Sequence, residues 1–356
     1  MDNDRRPASE DALEALDAVV NMPPARRKKN FFEKNMIPLK GDSRKTKRRK
    51  GIFDSCLLVI LVCALVLAWV VVIDPMRAQR LQDDLLRMYE ETEVATQPPP
   101  TEPLSEGETH PPTTVGSSAV TKPPTHAQLK ARNSDYIGWL KAPGGSINMP
   151  VVQTANNDYY LKRDFDRRPS KYGNPFVDYR VSFNPMSTNM IIYGHHMSNG
   201  TIFTYLTRYK QANVVKSNPL ITLEMADGSV QQYKIVSVLA VNGRPQDDNG
   251  YVFAVNTPDF PGEDSFNGYV RQIKQRSYVD TGVDVNYGDK LISLQTCIYD
   301  FDYEFLYVVA RLVRPGESAS VPNVKANPNP RLPQALYDKQ KKENPFRNAE
   351  IWMAPS

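Results

Sequence analysis

Cys297, His195 and His196 are the side chains of this 356-residue chain best placed for nucleophilic chemistry. Only three cysteines and four histidines occur, and two of the cysteines, Cys56 and Cys63, lie inside a long apolar run. Met190-Ile-Ile-Tyr-Gly-His195 and Leu291-Ile-Ser-Leu-Gln-Thr-Cys297 each read as an apolar strand that ends on a reactive side chain. A strand end holds a side chain on a rigid scaffold while leaving it open to solvent, as a nucleophile and its proton carrier require. A nearby imidazolium would favour the thiolate, the reactive form of cysteine. Spacing alone also allows a buried small cysteine beside a hydrogen-bonded histidine loop, and the two readings stand open together. A metal centre is not predicted. Adjacent histidines on a strand point to opposite faces, and no further cysteine or carboxylate is spaced to complete a tetrahedron. No cofactor is expected.

These residues need a β scaffold to hold them. Strand patterns fall at Ile147–Gln153, Phe176–Tyr179, Met190–His195, Leu220–Met225, Val230–Val241, Lys290–Thr296 and Phe305–Val313. Asp227-Gly228 marks a two-residue hairpin between the fourth and fifth. Helices are expected at Gln128–Asn133, Asn157–Leu161, Phe203–Tyr209 and Phe266–Arg276. Seven or eight strands with scattered helices between residues 126 and 316 indicate one mainly β domain, a barrel or sandwich with peripheral helices.

The flanking segments are of a different kind. Residues 1–54 form a basic leader: the first 51 carry 14 Lys/Arg against 8 Asp/Glu, so the rest of the +4 chain is slightly acidic. Charge confined to a leader does not suit nucleic-acid binding. Residues 55–74 enclose eighteen uncharged, mostly apolar positions, enough for a single transmembrane helix. Arg44, Lys45, Lys47, Arg48, Arg49 and Lys50 precede it, with Arg26, Arg27, Lys28 and Lys29 further back. The positive-inside rule then puts the N-terminus in the cytoplasm and the domain outside the cell membrane. Residues 75–93 suggest a juxtamembrane helix. Residues 94–125, with eight prolines and seven threonines, suggest a disordered linker that holds the domain away from the membrane. The tail 317–356, with six prolines and many charges, is also expected to be disordered.

Six short motifs in order carry a resemblance. Asp135-Tyr-Ile-Gly-Trp-Leu140, Met149-Pro-Val-Val-Gln153, Asn157-Asp-Tyr-Tyr-Leu161, Tyr193-Gly-His-His-Met197, Gly200-Thr-Ile-Phe203 and Leu294-Gln-Thr-Cys297 resemble class B sortases, membrane-anchored cysteine transpeptidases of Gram-positive bacteria. The resemblance covers roughly residues 128–314 and implies an eight-stranded β-barrel. It assigns Cys297 as nucleophile and His195 as its acid and base. It also implies two partners, secreted proteins bearing an Asn-Pro-x-Thr-Asn-like sorting signal and an amine of a cell-wall precursor. Thr296 and Arg244 are the further residues expected at the substrate or oxyanion. The family's arginine at the start of the last strand is replaced here by Phe305, and Arg311 is about 20 Å further along. Arg180 or Arg244 would have to approach from elsewhere. The alternative implied by Phe305 is a weakened sortase-like domain that binds surface proteins or assists a paralogue. Asn344-Pro-Phe-Arg-Asn348 also resembles the sorting signal, although chance in a Pro- and Asn-containing tail explains it more simply.

Overall fold

The computed structural model describes residues 36, 40–96, 125–142 and 147–354. Most of the basic leader and nearly all of the expected linker lie outside these residues. The chain divides into two bodies, Met1–Pro75 and Met76–Ser356.

In the first body, helix α1 (Arg44–Ala68) starts at Ser43, whose hydroxyl accepts from the Thr46 amide at 3.2 Å. It passes through a π-helical turn at Trp69–Ile73 into α2 (Asp74–Thr96). The helix expected separately at 75–93 is therefore the continuation of the apolar one. Mean hydropathy in the apolar part reaches 3.4, and its side chains are exposed on every face. Among the described residues this helix is long and apolar enough to cross a membrane.

In the second body, α2 docks on the barrel through Leu85 and Tyr89, both buried. The Tyr89 ring stacks on Trp139 with centroids 4.3 Å apart, and its hydroxyl donates to the Glu224 carboxylate. Arg132 of α3 (Thr125–Arg132) reaches Asp84 at 2.7 Å, and Leu129 joins the same apolar cluster as Leu85. Both flanks of the 97–124 segment thus belong to one body. That differs from a linker that alone ties the domain to what precedes it. The cause is the apolar stripe of α2, which finds a partner in Trp139.

The barrel strands are β1 (Tyr136–Ala142), β2 (Ile147–Val152), β3 (Phe176–Val177), β4 (Asn189–Tyr193), β5 (Leu220–Met225), β6 (Val230–Asn242), β8 (Leu291–Ile298) and β9 (Glu304–Leu312). They close in the order β1-β2-β3-β4-β8-β9-β6-β5. Strand β1, absent from the sequence-based strand set, completes the closure by pairing with both β2 and β5. It lacks a clear alternation because both its faces are covered, Leu140 by the barrel core and Trp139 by α2. Leu294, Ile298, Leu306 and Val308 point into the barrel. On the other face of the sheet, Val241 of β6 and Tyr307 and Val309 of β9 pack under α5 (Glu263–Arg276), which follows a short helix α4 (Ala212–Ser217).

The tail departs from the expected disorder. After β9, Lys325–Ala326 (β10) pairs with Val279–Asp280 (β7). Arg331, Leu336 and Tyr337 are buried, the latter two on helix α6 (Gln334–Gln340). Trp352 inserts beside Phe253, Phe260 and Tyr269 and donates from its indole nitrogen to Ser265 O at 2.9 Å. A few widely spaced apolar anchors supply what the average composition of the tail does not suggest.

Candidate active site

Cys297 and His195 come from neighbouring strands. β4 and β8 run parallel, with Tyr193 paired to Gln295 and the Gly194 amide bonded to Gln295 O at 3.0 Å. His195 and Cys297 each follow this pairing by two residues, His195 just beyond the end of β4 and Cys297 within β8. Gly194 is required by close approach, because a Cβ there would lie 2.5 Å from the Phe203 ring. Phe203 in turn holds the following loop, its amide bonded to His195 O at 3.0 Å. In that loop Ile202, a β-branched residue, sits at φ 57° and bridges to His196. Such backbone is strained and persists only where its surroundings enforce it.

The two histidines have different tasks. His195 Nε2 lies 2.7 Å from Leu161 O, so Nε2–H donates to that carbonyl and Nδ1 is the ring nitrogen left for other partners. His196 donates through Nδ1 to the carbonyl of Cys297 at 2.9 Å and stacks on exposed Tyr299. His196 therefore anchors the backbone of the cysteine. Sequence reasoning gave it no such task, and only the pairing of its loop with β8 reveals it.

Cys297 is half-buried, and burial pushes its thiol above the ordinary value. Its directly paired residue on β9 is Phe305, which in turn pairs with Val241 on β6. Directly opposed residues share a face of the sheet, so Cys297, Phe305 and Val241 form one row on the face toward α5. The register thus puts Phe305 beside Cys297.

Thr296 does not stand with them. It pairs with Leu306, lies on the barrel-interior face, and is 1% exposed with its hydroxyl unpartnered. The expectation of a substrate or oxyanion contact from its side chain is corrected by the two-residue period of the strand. Arg180 is already engaged. It makes a bidentate pair with Asp178 at 3.0 and 2.8 Å and donates to Asn256 O, alongside Ile191, four residues before His195. Arg244 does lie at the Cys297 end, just beyond β6. Its guanidinium sits 4.7 Å over the Tyr303 ring and pairs with Asp247.

The loop from Tyr299 to Tyr303 is unusual. Tyr299 and Tyr303 are largely exposed, and Tyr303 has φ 59°. Beneath it, Glu304 is 1% exposed; its Oε2 accepts from the Asp300 amide at 2.9 Å, and its Oε1 has no partner. Burial pushes the Glu304 carboxyl up to about 7, Lys210 opposing and Asp300 adding to the rise. Neither feature could be inferred without the fold.

Comparisons with known proteins converge on one family. The sortase domain family model matches residues 140–313. Sortase B of Listeria monocytogenes is 31% identical over 176 residues, covering 49% of this chain and 68% of that protein. Sortase B of Staphylococcus aureus is 28% identical over 193 residues, covering 54% and 75%. The structure of the Staphylococcus aureus sortase B–substrate complex superposes with a TM-score of 0.55 at 21% identity, over 68% of this chain and 99% of that one. That last likeness concerns the fold.

Proposed function

Because the chain belongs to the class B sortases, we propose that its barrel is a cysteine transpeptidase for secreted proteins carrying a C-terminal sorting signal. What supports this reading is the pairing of Tyr193 on β4 with Gln295 on β8, two residues before His195 and Cys297 respectively. His195 Nδ1 takes the thiol proton as sulfur attacks the carbonyl that follows threonine in an Asn-Pro-x-Thr-Asn-like signal. The tetrahedral intermediate collapses as the C–N bond breaks. The departing amine takes its proton from His195, which leaves a thioester on Cys297. A cell-wall precursor amine then attacks the thioester, gives its proton to His195, and frees the thiol as the new amide forms.

The N-terminus faces the cytoplasm and the barrel lies outside, since the basic residues Arg44 to Lys50 begin the apolar helix. Phe305 leaves the oxyanion without the guanidinium expected there, and Arg244 is an arginine at this end of β6 and β9. Releasing Arg244 from Asp247 would let it turn toward the substrate.

The test uses the full chain in detergent micelles with an Asn-Pro-x-Thr-Asn peptide and mass spectrometry of the intact protein. A thioester adduct should form on Cys297, vanish in Cys297→Ser, and form about 10²–10⁴-fold more slowly in His195→Ala. No adduct with any sorting peptide would overturn the reading. A second reading, a weakened domain that binds sorting signals, is favoured by Phe305 and the raised thiol together. An adduct that forms but is not resolved by added amines would select it.

A further inference from the structure

The segment beyond residue 313 lies outside the sortase family match, yet it is built into the region around Cys297. Its course begins at the far end of β9, where Glu317 binds Arg311 at 2.7 Å. It then crosses α5, where Arg331 donates to Glu350 O at 2.6 Å and lies 3.3 Å from Gln275 Oε1. From there it reaches the two connections that flank the row Cys297–Phe305–Val241.

One of these is the loop between β8 and β9. Lys339 of α6 donates to Asp300 O at 2.6 Å. Asp300 is already the meeting point of two other elements, its amide held by Glu304 and its carboxylate by Lys210 at 3.1 Å. Lys210 belongs to the short helix that follows the His195 loop. The other connection joins β6 to α5. The Gln334 amide donates to Asp248 at 3.0 Å, the Gln334 side chain accepts from Asn249 at 3.1 Å, and Tyr251 donates to Trp352 O at 2.6 Å. Asn344 of the sorting-signal-like segment bonds the same Gln334 at 2.9 Å, so it serves the tail's own structure. The tail is therefore a strap with one foot on each connection.

We propose that this strap is a positioning element of the active site, in which Lys339 and Gln334 fix the two connections flanking Cys297 and so set the affinity for the sorting peptide. The proposal rests on the transpeptidase reading. Loops that are ordered before a peptide arrives need not be ordered by it, and that lowers the cost of binding. The thiol chemistry depends on β4, β8 and β9 and should not feel the strap.

The experiment compares the full-length wild type with Lys339→Ala/Gln334→Ala and Lys339→Arg. The double variant should raise KM for an Asn-Pro-x-Thr-Asn peptide about five- to tenfold, with kcat and the rate of Cys297 alkylation by iodoacetamide within twofold. Lys339→Arg, which keeps a donor for Asp300 O, should stay within twofold of wild-type KM. An unchanged KM, a fall in kcat at constant KM, or a loss that tracks the folded fraction in thermal melts would overturn the proposal. Anisotropy of a labelled peptide on a Cys297→Ser background reads the same affinity without turnover. If the wild type turned over no peptide, the transpeptidase reading would fail, and a five- to tenfold weaker Kd in the double variant would still support the strap. Equal Kd values, or no binding at all, would reject it.

Discussion

The two ends of strand β9 have opposite characters. At the far end Arg311 is completely buried and fully served. It donates to Asp284 O at 2.9 Å, to Leu312 O at 2.8 Å and to both carboxylate oxygens of Glu317 at 2.7 Å. Arg311 and then Lys234 hold the Glu317 carboxyl well below the usual range. At the near end, Glu304 and Thr296 each bury a polar atom without a partner, Tyr303 adopts a left-handed backbone, and the half-buried thiol faces Phe305. Charge is spent on stability at one end, while the other holds unmet polar groups and strain. Unmet groups of this kind cost free energy and tend to gather where a site works.

Breaking the satisfied end should give the largest effect. Arg311→Ala strands the carboxylates around it and should destabilise the fold by about 3 kcal/mol, the low end for a broken buried pair because Glu317 is partly exposed. Urea unfolding reads this, and acylation of Cys297 in the protein that remains folded should be nearly unchanged. A large loss of acylation in the folded fraction would show that the two ends are coupled.

Supplying the unsatisfied end is the next test. Phe305→Arg should place a guanidinium beside Cys297, lower the thiol pKa and offer a donor to the oxyanion. The expected gain in kcat/KM is about 10²–10³, and alkylation against pH should report the shifted thiol. No gain, together with activity lost in Arg244→Ala, would show that the near end already has its cation.

The smallest effect concerns Glu304. Its carboxyl ionises at about 7 in the fold against an ordinary 4.5, so the folded state holds its proton more tightly than the unfolded chain. Stability should therefore be fully present below about 4.5 and decline as the pH rises through about 7. Glu304→Gln removes that penalty and should stabilise the protein at pH 8 by about 1–3 kcal/mol. Urea midpoints at pH 5 and 8 decide it: equal wild-type and variant midpoints at both would mean that the carboxyl is solvated after all.

Much of this was legible beforehand, for physical reasons. Leu220–Met225 emerged where the pattern put it, but the turn after it takes three residues, Ala226–Gly228, and not the expected two: the Met225 amide bonds Ser229 O, the Gly228 amide bonds Met225 O, and Gly228 has φ 86°. The interest of Phe305 comes from the resemblance, which sets it where the family's arginine stands; its opposition to Cys297 is a matter of the antiparallel register of β8 and β9. Strand β1 escaped because burial on both faces erases alternation. The tail escaped because Leu336, Tyr337 and Trp352 are too sparse to lift its average composition, although each finds a deep site. Thr296 was misassigned because neighbours along a strand face opposite ways. The unpartnered oxygens, the raised Glu304 and the bond from His196 to Cys297 depend on contacts across the barrel, which spacing along the chain does not encode.

The docking of Tyr89 and Leu129 into one cluster changes what length means for the chain between them. Because both anchors belong to a single body, the distance between them is set by their packing and not by the length of chain that joins them. A cut within it would leave two polypeptides associated through the Tyr89–Trp139 stack and the Arg132–Asp84 pair, behaving as one particle until that seam is opened.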